Sequence, residues 1–198
     1  MPFPPFIDSS LGRDGGPASG FGDDADSPGR PRTTPIPPEV ARNPALVRVG
    51  ECIAHIVRFS REDVSRFAAM TLDRNPVHHD VRAARRAGQA DVIASGQHTT
   101  GVMSGLAASH FTRGSDGIAR EMLCLHFNYA CKAPVPAERE VRLLWEVRDV
   151  EWNETLDGYI AQLAGEARVD GVAAVVARGT VLVKAARDLE APVRRALL

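Results

Sequence analysis

The chain has 198 residues and a formal net charge of -1, enough length for one domain with a real core and no electrostatic case for nucleic acid or an anionic membrane as partner. Its three cysteines, Cys52, Cys124 and Cys131, match no metal spacing and fit a reduced intracellular protein. No apolar run reaches the ~18 residues of a membrane span, and the start, M-P-F-P-P-F-I-D, has neither the basic nor the long apolar region of a secretory signal, so a cytoplasmic protein is expected.

Ten of the fourteen prolines fall in the first 44 residues. A segment this rich in Pro, Gly, Ser and Asp buries too little apolar surface to offset its ordering entropy. Residues 1–45 are therefore expected to form an extended or disordered tail, with Phe3, Phe6 and Ile7 as its only large apolar anchors near the start. A domain over 46–190 follows, then a short tail, 191–198. Cys52 to Phe59 is rich in Ile and Val and reads as a strand. Ser60 reads as an N-cap with Asp63 at the third helical position. Val64, Phe67, Ala68 and Thr71 then recur at helical spacing, predicting a short amphipathic helix to about Leu72. Asp80 suits the cap of a second short helix through Arg86, ended at Gly88.

Gly96 to Phe111 reads G-Q-H-T-T-G-V-M-S-G-L-A-A-S-H-F. A helix with almost no charge on any side is expected to be buried, and its glycines mean that tertiary packing must hold it. Only strands follow. Leu123, Leu125, Phe127 and Tyr129 alternate with Cys124, His126 and Asn128. Val141, Leu143, Trp145 and Val147 alternate with Arg142, Leu144, Glu146 and Arg148, and Tyr159 to Val169 alternates again. Asp170-Gly171 signals a two-residue hairpin into a last strand, Val172 to Lys184. One early strand, a few helices and an antiparallel meander make an α+β domain whose sheet wraps a single apolar helix.

The chemistry concentrates in L-D-R-N-P-V-H-H-D, Leu72 to Asp80. Pro76 breaks helical geometry before it, so a turn on Asn75-Pro76 can bring Asp73 and His78 to one side. A carboxylate and an imidazole aimed at one water can polarise it and shuttle its proton. Asp73 and Asn75 equally suit a helix end and a turn, with His78 on the surface. A metal site on His78, His79 and His98 is disfavoured, because adjacent residues diverge and no Cys or carboxylate set completes it. His79 is left outside the chemistry. His55, His110 and His126 are read as structural, and Cys131 and Lys132 as weak candidates for substrate contact. No Gly-rich phosphate loop is present.

The run F-A-A-M-T-L-D-R-N-P-V-H-H-D-V-R-A-A resembles the signature of the MaoC-like dehydratases and (R)-specific enoyl-CoA hydratases: Phe67, then Asp73, Asn75, Pro76, Val77 and His78, with small residues Ala83 and Ala84 beyond. Val92-Ile93-Ala94-Ser95-Gly96, Ser104-Gly105-Leu106 and F-N-Y-A-C-K-A-P-V-P from Phe127 are similar to later family segments, so the resemblance spans roughly residues 50 to 185. It departs at Leu72, where the family usually carries Gly, and at Pro136-Ala137-Glu138, where Gly-Asp is usual.

This resemblance implies a single hot-dog domain and a hydratase or dehydratase of enoyl thioesters. Asp73 and His78 would be the catalytic pair that adds water across the 2,3 double bond to give an (R)-3-hydroxyacyl thioester. Gly96 at the helix start would stabilise charge on the thioester oxygen. Ser104 would hydrogen-bond near the pair, Asn75 and Val77 would join Gly96 and Ser104 in binding substrate, with Asn75 also shaping the turn, and Ser95, His98 and Leu72 would lie near the pocket. No metal and no cofactor are called for. The implied partners are an acyl thioester of CoA or acyl carrier protein and a second copy of the chain in a homodimer, whose exposed strand edges invite pairing. A hot-dog thioesterase, a tailoring dehydratase and a non-catalytic partner subunit remain as alternatives.

Overall fold

The computed structural model of the chain describes residues 42–186. Residues 1–41 of the expected tail, and the expected tail at 191–198, lie outside the described residues. In chain order the elements are β1 (Cys52–Arg58), α1 (Arg61–Met70), a 3₁₀ turn (Pro76–His78), α2 (Val81–Arg86), β2 (Ile93–Ala94), α3 (Gly96–Phe111), β3 (Arg120–Cys131), β4 (Val135–Pro136), β5 (Glu140–Asn153), β6 (Gly158–Val169) and β7 (Val172–Ala185). The main sheet is antiparallel with order β1-β5-β6-β7-β3. β2 and β4 form a separate two-stranded pair. α3 packs on one face of the main sheet, the α+β hot-dog arrangement.

Local chemistry explains the boundaries. Ser60 caps α1 in a full capping box with Asp63, and Asp80 caps α2 by accepting the Arg82 backbone N–H at 2.7 Å. Asp170 and Gly171 both take positive φ, 50° and 81°, the conformation a two-residue hairpin between twisted strands requires. Along β5 the alternation places Val141, Leu143, Trp145 and Val147 at 0% exposure. The Trp145 indole Nε1–H donates to the Met103 carbonyl at 2.9 Å and ties the sheet to the middle of α3.

Two expectations change. The alternation puts Leu123 and Leu125 in phase with Phe127 and Tyr129, yet they are 57% and 46% exposed. A bulge between Cys124 and His126 inserts one extra residue and reverses the alternation. Before it, Met122 and Cys124 pair with Val183 and Val181. After it, Phe127 and Tyr129 pair with Gly179 and Ala177 and pack on Trp145. Secondly, α3 is not buried all round. His98, Thr99, Met103, Ala107 and Phe111 are buried, but Gln97, Gly101, Gly105 and Ser109 form an exposed stripe, because one sheet covers only one side of a helix.

Candidate active site

α1 ends in a Schellman motif. The Leu72 N–H reaches the Ala69 carbonyl at 3.2 Å and the Asp73 N–H reaches the Ala68 carbonyl at 2.8 Å, the paired closing bonds of that cap. The motif requires a left-handed residue, and Leu72 supplies it with φ 59°. Glycine adopts this conformation freely, whereas an L side chain there costs about 1–2 kcal/mol. Leu72 is 81% exposed, so it points into solvent and does not narrow the cleft. Leu72→Gly removes strain and loses no packing. After the unfolded-chain entropy of glycine is deducted, about 0.4–1 kcal/mol, the variant is expected to gain roughly 0.5 kcal/mol. A thermal melt reads this as a rise in Tm of roughly 1–2 °C.

This cap fixes Asp73 at the third residue past Met70, two beyond the cap residue Thr71. Its Oδ1 accepts the Asn75 backbone N–H at 3.0 Å. The Asn75 side chain then accepts the Val77 N–H at 3.4 Å and caps the 3₁₀ turn, with Pro76 at its start. The turn returns the chain so that His78 Nε2 stands 3.3 Å from Asp73 Oδ2. His78 is buried, and its Nδ1 lies 2.6 Å from the Ile93 carbonyl oxygen. A carbonyl only accepts, so Nδ1 carries a proton, and in the neutral imidazole the Nε2 lone pair faces Asp73. Two acceptors 3.3 Å apart repel one another and suit a molecule that donates twice, such as water.

His79 does not stand aside. Its Nε2–H donates to the Asp73 carbonyl at 2.8 Å, and its Nδ1 accepts from the Ser65 hydroxyl at 3.0 Å. The ring therefore bridges α1 and the residue that carries the carboxylate.

His78 lines a cleft of about 380 Å³ together with Gly96, Thr99, Cys131, Lys132 and Val135. A Cβ on Gly96 would sit 2.8 Å from Cys131 Sγ, so glycine permits the close approach of α3 and the end of β3. Ser95 is the N-cap of α3 and accepts the His98 N–H at 3.3 Å. The Gly96 N–H, at the first helical position, has no intrahelical acceptor and sits at the positive end of the helix dipole. The Thr99 hydroxyl is buried without a hydrogen-bond partner.

Other expected site residues lie elsewhere. Ser104 donates to the Thr100 carbonyl at 3.0 Å and shares a 2.6 Å bond with the Tyr129 hydroxyl, so it braces α3 against β3 rather than touching the Asp73–His78 pair. Val77 is half-buried on the 3₁₀ turn. His98 leaves the cleft for an aromatic sandwich, stacked on Phe67 at 4.4 Å with Phe59 at 4.3 Å. Among the described residues no group of three or more His, Cys, Asp or Glu is placed to hold a metal ion.

Burial pushes the His98 imidazole below its ordinary 6.5, an effect partly opposed by the Asp63 charge. The folded state thus favours neutral His98. Its contribution is constant above pH ~6.5, and it is lost as pH falls from there through the depressed folded value, where the unfolded chain binds the proton first. Tm is expected to fall over that interval. His98→Leu should flatten this segment of the Tm–pH curve, measured by calorimetry between pH 8 and pH 5.

The family model for the MaoC like domain matches residues 27–162. The chain belongs to the MaoC-like dehydratase family. A mitochondrial 3-hydroxyacyl-(acyl-carrier-protein) dehydratase, FERN, from Solanum lycopersicum is 29% identical to this MaoC-like chain over 119 residues, 60% of the chain and 66% of the relative. The alignment thus spans 66% of that curated relative's length. Among solved structures, the (R)-hydratase from A. caviae involved in PHA biosynthesis is 27% identical with a TM-score of 0.57, covering 68% of this chain and 96% of that one. The R-hydratase PhaJ1 from Pseudomonas aeruginosa, 20% identical with a TM-score of 0.59 over 71% of this chain and 84% of that one, shares the fold.

Proposed function

We propose that the chain hydrates trans-2-enoyl thioesters to (R)-3-hydroxyacyl thioesters and catalyses the reverse dehydration, as a carbon–oxygen lyase. The observation that carries this reading is the pair of groups, Asp73 Oδ2 and His78 Nε2, 3.3 Å apart, with His78 lining a cleft that also contains the start of α3. A water donating to both presents its oxygen to C3 of the enoyl group. As the C3–O bond forms, one acceptor takes the water proton, and the electron pair of the double bond moves toward the thioester oxygen. The Gly96 N–H at the α3 N-terminus stabilises that charge. A proton delivered to C2 completes the addition. Dehydration runs the same steps backwards: the C2 proton is taken and the C3 hydroxyl leaves as water.

The acidic, amide and aliphatic residues of the turn support the same reading by holding the two groups from opposite sides of Pro76. A second copy of the chain is part of the proposal. β3 is an edge strand with exposed Leu123 and Leu125, and the small-residue stripe of α3 is uncovered, with nothing within 4 Å of a Cβ built at Gly101 or Gly105. Two solved structures of the same fold from Mycobacterium tuberculosis, ChsH1-ChsH2 and HadBC, are complexes. A cytoplasmic setting is part of the same proposal. No helix among the described residues is long and apolar enough to cross a membrane.

The test is a purified full-length chain incubated with crotonyl-CoA, followed by the enoyl-thioester absorbance and by a free-thiol reagent. Loss of conjugation without thiol release supports hydration. Thiol release with conjugation intact would make the chain a thioesterase and overturn the proposal.

A further inference from the structure

α2 begins three residues after His78 and reads V-R-A-A-R-R. Ala83 and Ala84 are buried, so Arg82, Arg85 and Arg86, at i, i+3 and i+4, share the opposite, exposed side. Arg74, the residue after Asp73, is exposed as well. Between residues 74 and 90 these four arginines meet a single acid, Asp80, whose carboxylate is engaged in capping α2. Among the described residues, none of the four guanidinium groups makes a hydrogen bond or a salt bridge. Asp91 feels the charge of Arg85, but its carboxylate is already gripped by Arg61 through Nε and Nη2.

Helix stability does not account for this arrangement. Arg85 and Arg86, in the last turn, suit the helix dipole, but Arg82 sits at the second helical position, where an acid is favoured. The three side chains also repel one another at helical spacing. A chain with a net charge of -1 has thus gathered unpaired cations beside its candidate active site.

We propose that this face docks an acidic acyl carrier protein, so that the thioester arrives on a protein carrier rather than on CoA. The inference rests on the hydratase reading and supplies the carrier that reading leaves open. A free nucleotide phosphate is normally gripped in a concave site with backbone N–H groups converging on it. The arginines instead stand on the outside of a helix, and none of them lines the 380 Å³ cleft. Such a face complements a flat or convex acidic surface, where charge steers encounter and sets orientation.

The test compares the wild-type chain with the triple variant Arg82→Gln, Arg85→Gln, Arg86→Gln on two substrates, crotonyl-CoA and a crotonylated acyl carrier protein. The variant is expected to raise KM for the protein-borne substrate by roughly tenfold, leave kcat unchanged, and leave both constants for crotonyl-CoA unchanged. The wild-type KM for the protein-borne substrate should rise with added salt. An equal rise in KM on both substrates would assign the arginines to CoA phosphates, and no change on either would remove their role; each result overturns the proposal. Direct titration of the chain with unacylated acyl carrier protein reads the surface apart from turnover. Weakened binding in the variant supports docking even if neither substrate reacts, an outcome that would count against the hydratase reading alone.

A different observation carries a second inference. Asp73 is held at three of its four polar atoms: its N–H by Ala68, its Oδ1 by the Asn75 N–H, and its carbonyl oxygen by His79. Oδ2 alone is left toward His78. We infer that His79 is a positioning residue that fixes the backbone of Asp73 from Ser65 on α1. His79→Ala is expected to lower kcat roughly tenfold with KM unchanged, since small misplacements of a reacting group are costly. His79→Gln, whose amide N–H reaches the same carbonyl, should restore most of the rate. Loss of Tm with kcat preserved, or loss of kcat not rescued by Gln, would refute the role. An imidazole ¹⁵N spectrum checks the Nε2–H tautomer independently of activity, and an Nδ1–H tautomer would also refute it.

Discussion

Asp73→Asn is expected to lower the rate of crotonyl-thioester hydration by roughly 10³-fold, within the range that positioned acid–base groups supply, while the chain stays folded. The amide matches the carboxylate in shape and keeps an oxygen for the Asn75 N–H. Its NH₂ then takes the place of Oδ2 and donates to His78 Nε2. One substitution removes both acceptors: the carboxylate is gone and the imidazole lone pair is occupied. His78→Ala should cost a similar factor, because the remaining carboxylate holds water through one bond instead of two. The double variant should be little worse than either single one, since groups that act on one water do not contribute additively. The Asp73 side chain is 32% exposed, so Tm of Asp73→Asn should stay within a few degrees of the parent. Hydration that survives both single substitutions would sink the assignment of this pair.

Wherever the partner of a side chain lay within a few residues, the sequence made the structure legible. The Ser60–Asp63 capping box, the Asp80 cap, the Asp170-Gly171 turn and the span of α3 all rest on neighbours in the chain. The Asp73-to-His78 spacing is legible for the same reason, since the turn between them is built by Asn75 and Pro76. What could not be read are pairings made across the fold. The tautomer of His78 is set by Ile93, fifteen residues on. Ser104 finds Tyr129 across 25 residues, which no local pattern announces. His98 reads as a first-turn polar residue, and only the approach of Phe59 and Phe67 turns it into part of an aromatic stack. The bulge at Cys124–His126 leaves no compositional mark, so strict alternation keeps Leu123 and Leu125 in phase with Phe127 and Tyr129, which the fold does not. His79 looked like a spare histidine because no local pattern shows its ring folding back across the Asn75-Pro76 turn to the Asp73 carbonyl and to Ser65 on α1. Leu72 lies between these cases. Its departure from glycine was visible, but its meaning came from the positive φ of the helix cap.

Gly165→Ala is expected to be the most destabilising single-methyl addition in the sheet. A Cβ at Gly165 would lie 2.4 Å from Trp145 Cε3 and 2.6 Å from Cζ3, inside any tolerable contact. The indole has no room to retreat, since Trp145 is 0% exposed and its Nε1–H is bound to the Met103 carbonyl. Rotating the ring away would leave a buried indole N–H unpaired. Overpacking costs about 1–3 kcal/mol, and breaking that hydrogen bond costs about 1–3 kcal/mol more. The smaller unfolded-state entropy of alanine returns about 0.4–1 kcal/mol. A net loss of roughly 2–4 kcal/mol corresponds to a fall in Tm of roughly 5–15 °C. Gly179→Ala makes a comparable clash on paper, 2.3 Å from Phe127 Cε1, but Phe127 lies half-buried on edge strand β3 and its ring can yield. That variant should therefore lose less, and the ordering of the two melts separates clash with a locked ring from clash with a movable one. Trp145→Phe removes the ring atoms that collide and leaves a cavity in the parent, yet should partly rescue Gly165→Ala, giving a double variant more stable than the sum of the single losses predicts. If the two losses simply add, the clash is being absorbed elsewhere. The consequence reaches the cleft, because the Trp145–Met103 bond is what seats α3 on the sheet, and the N-terminus of α3 places Gly96 beside His78.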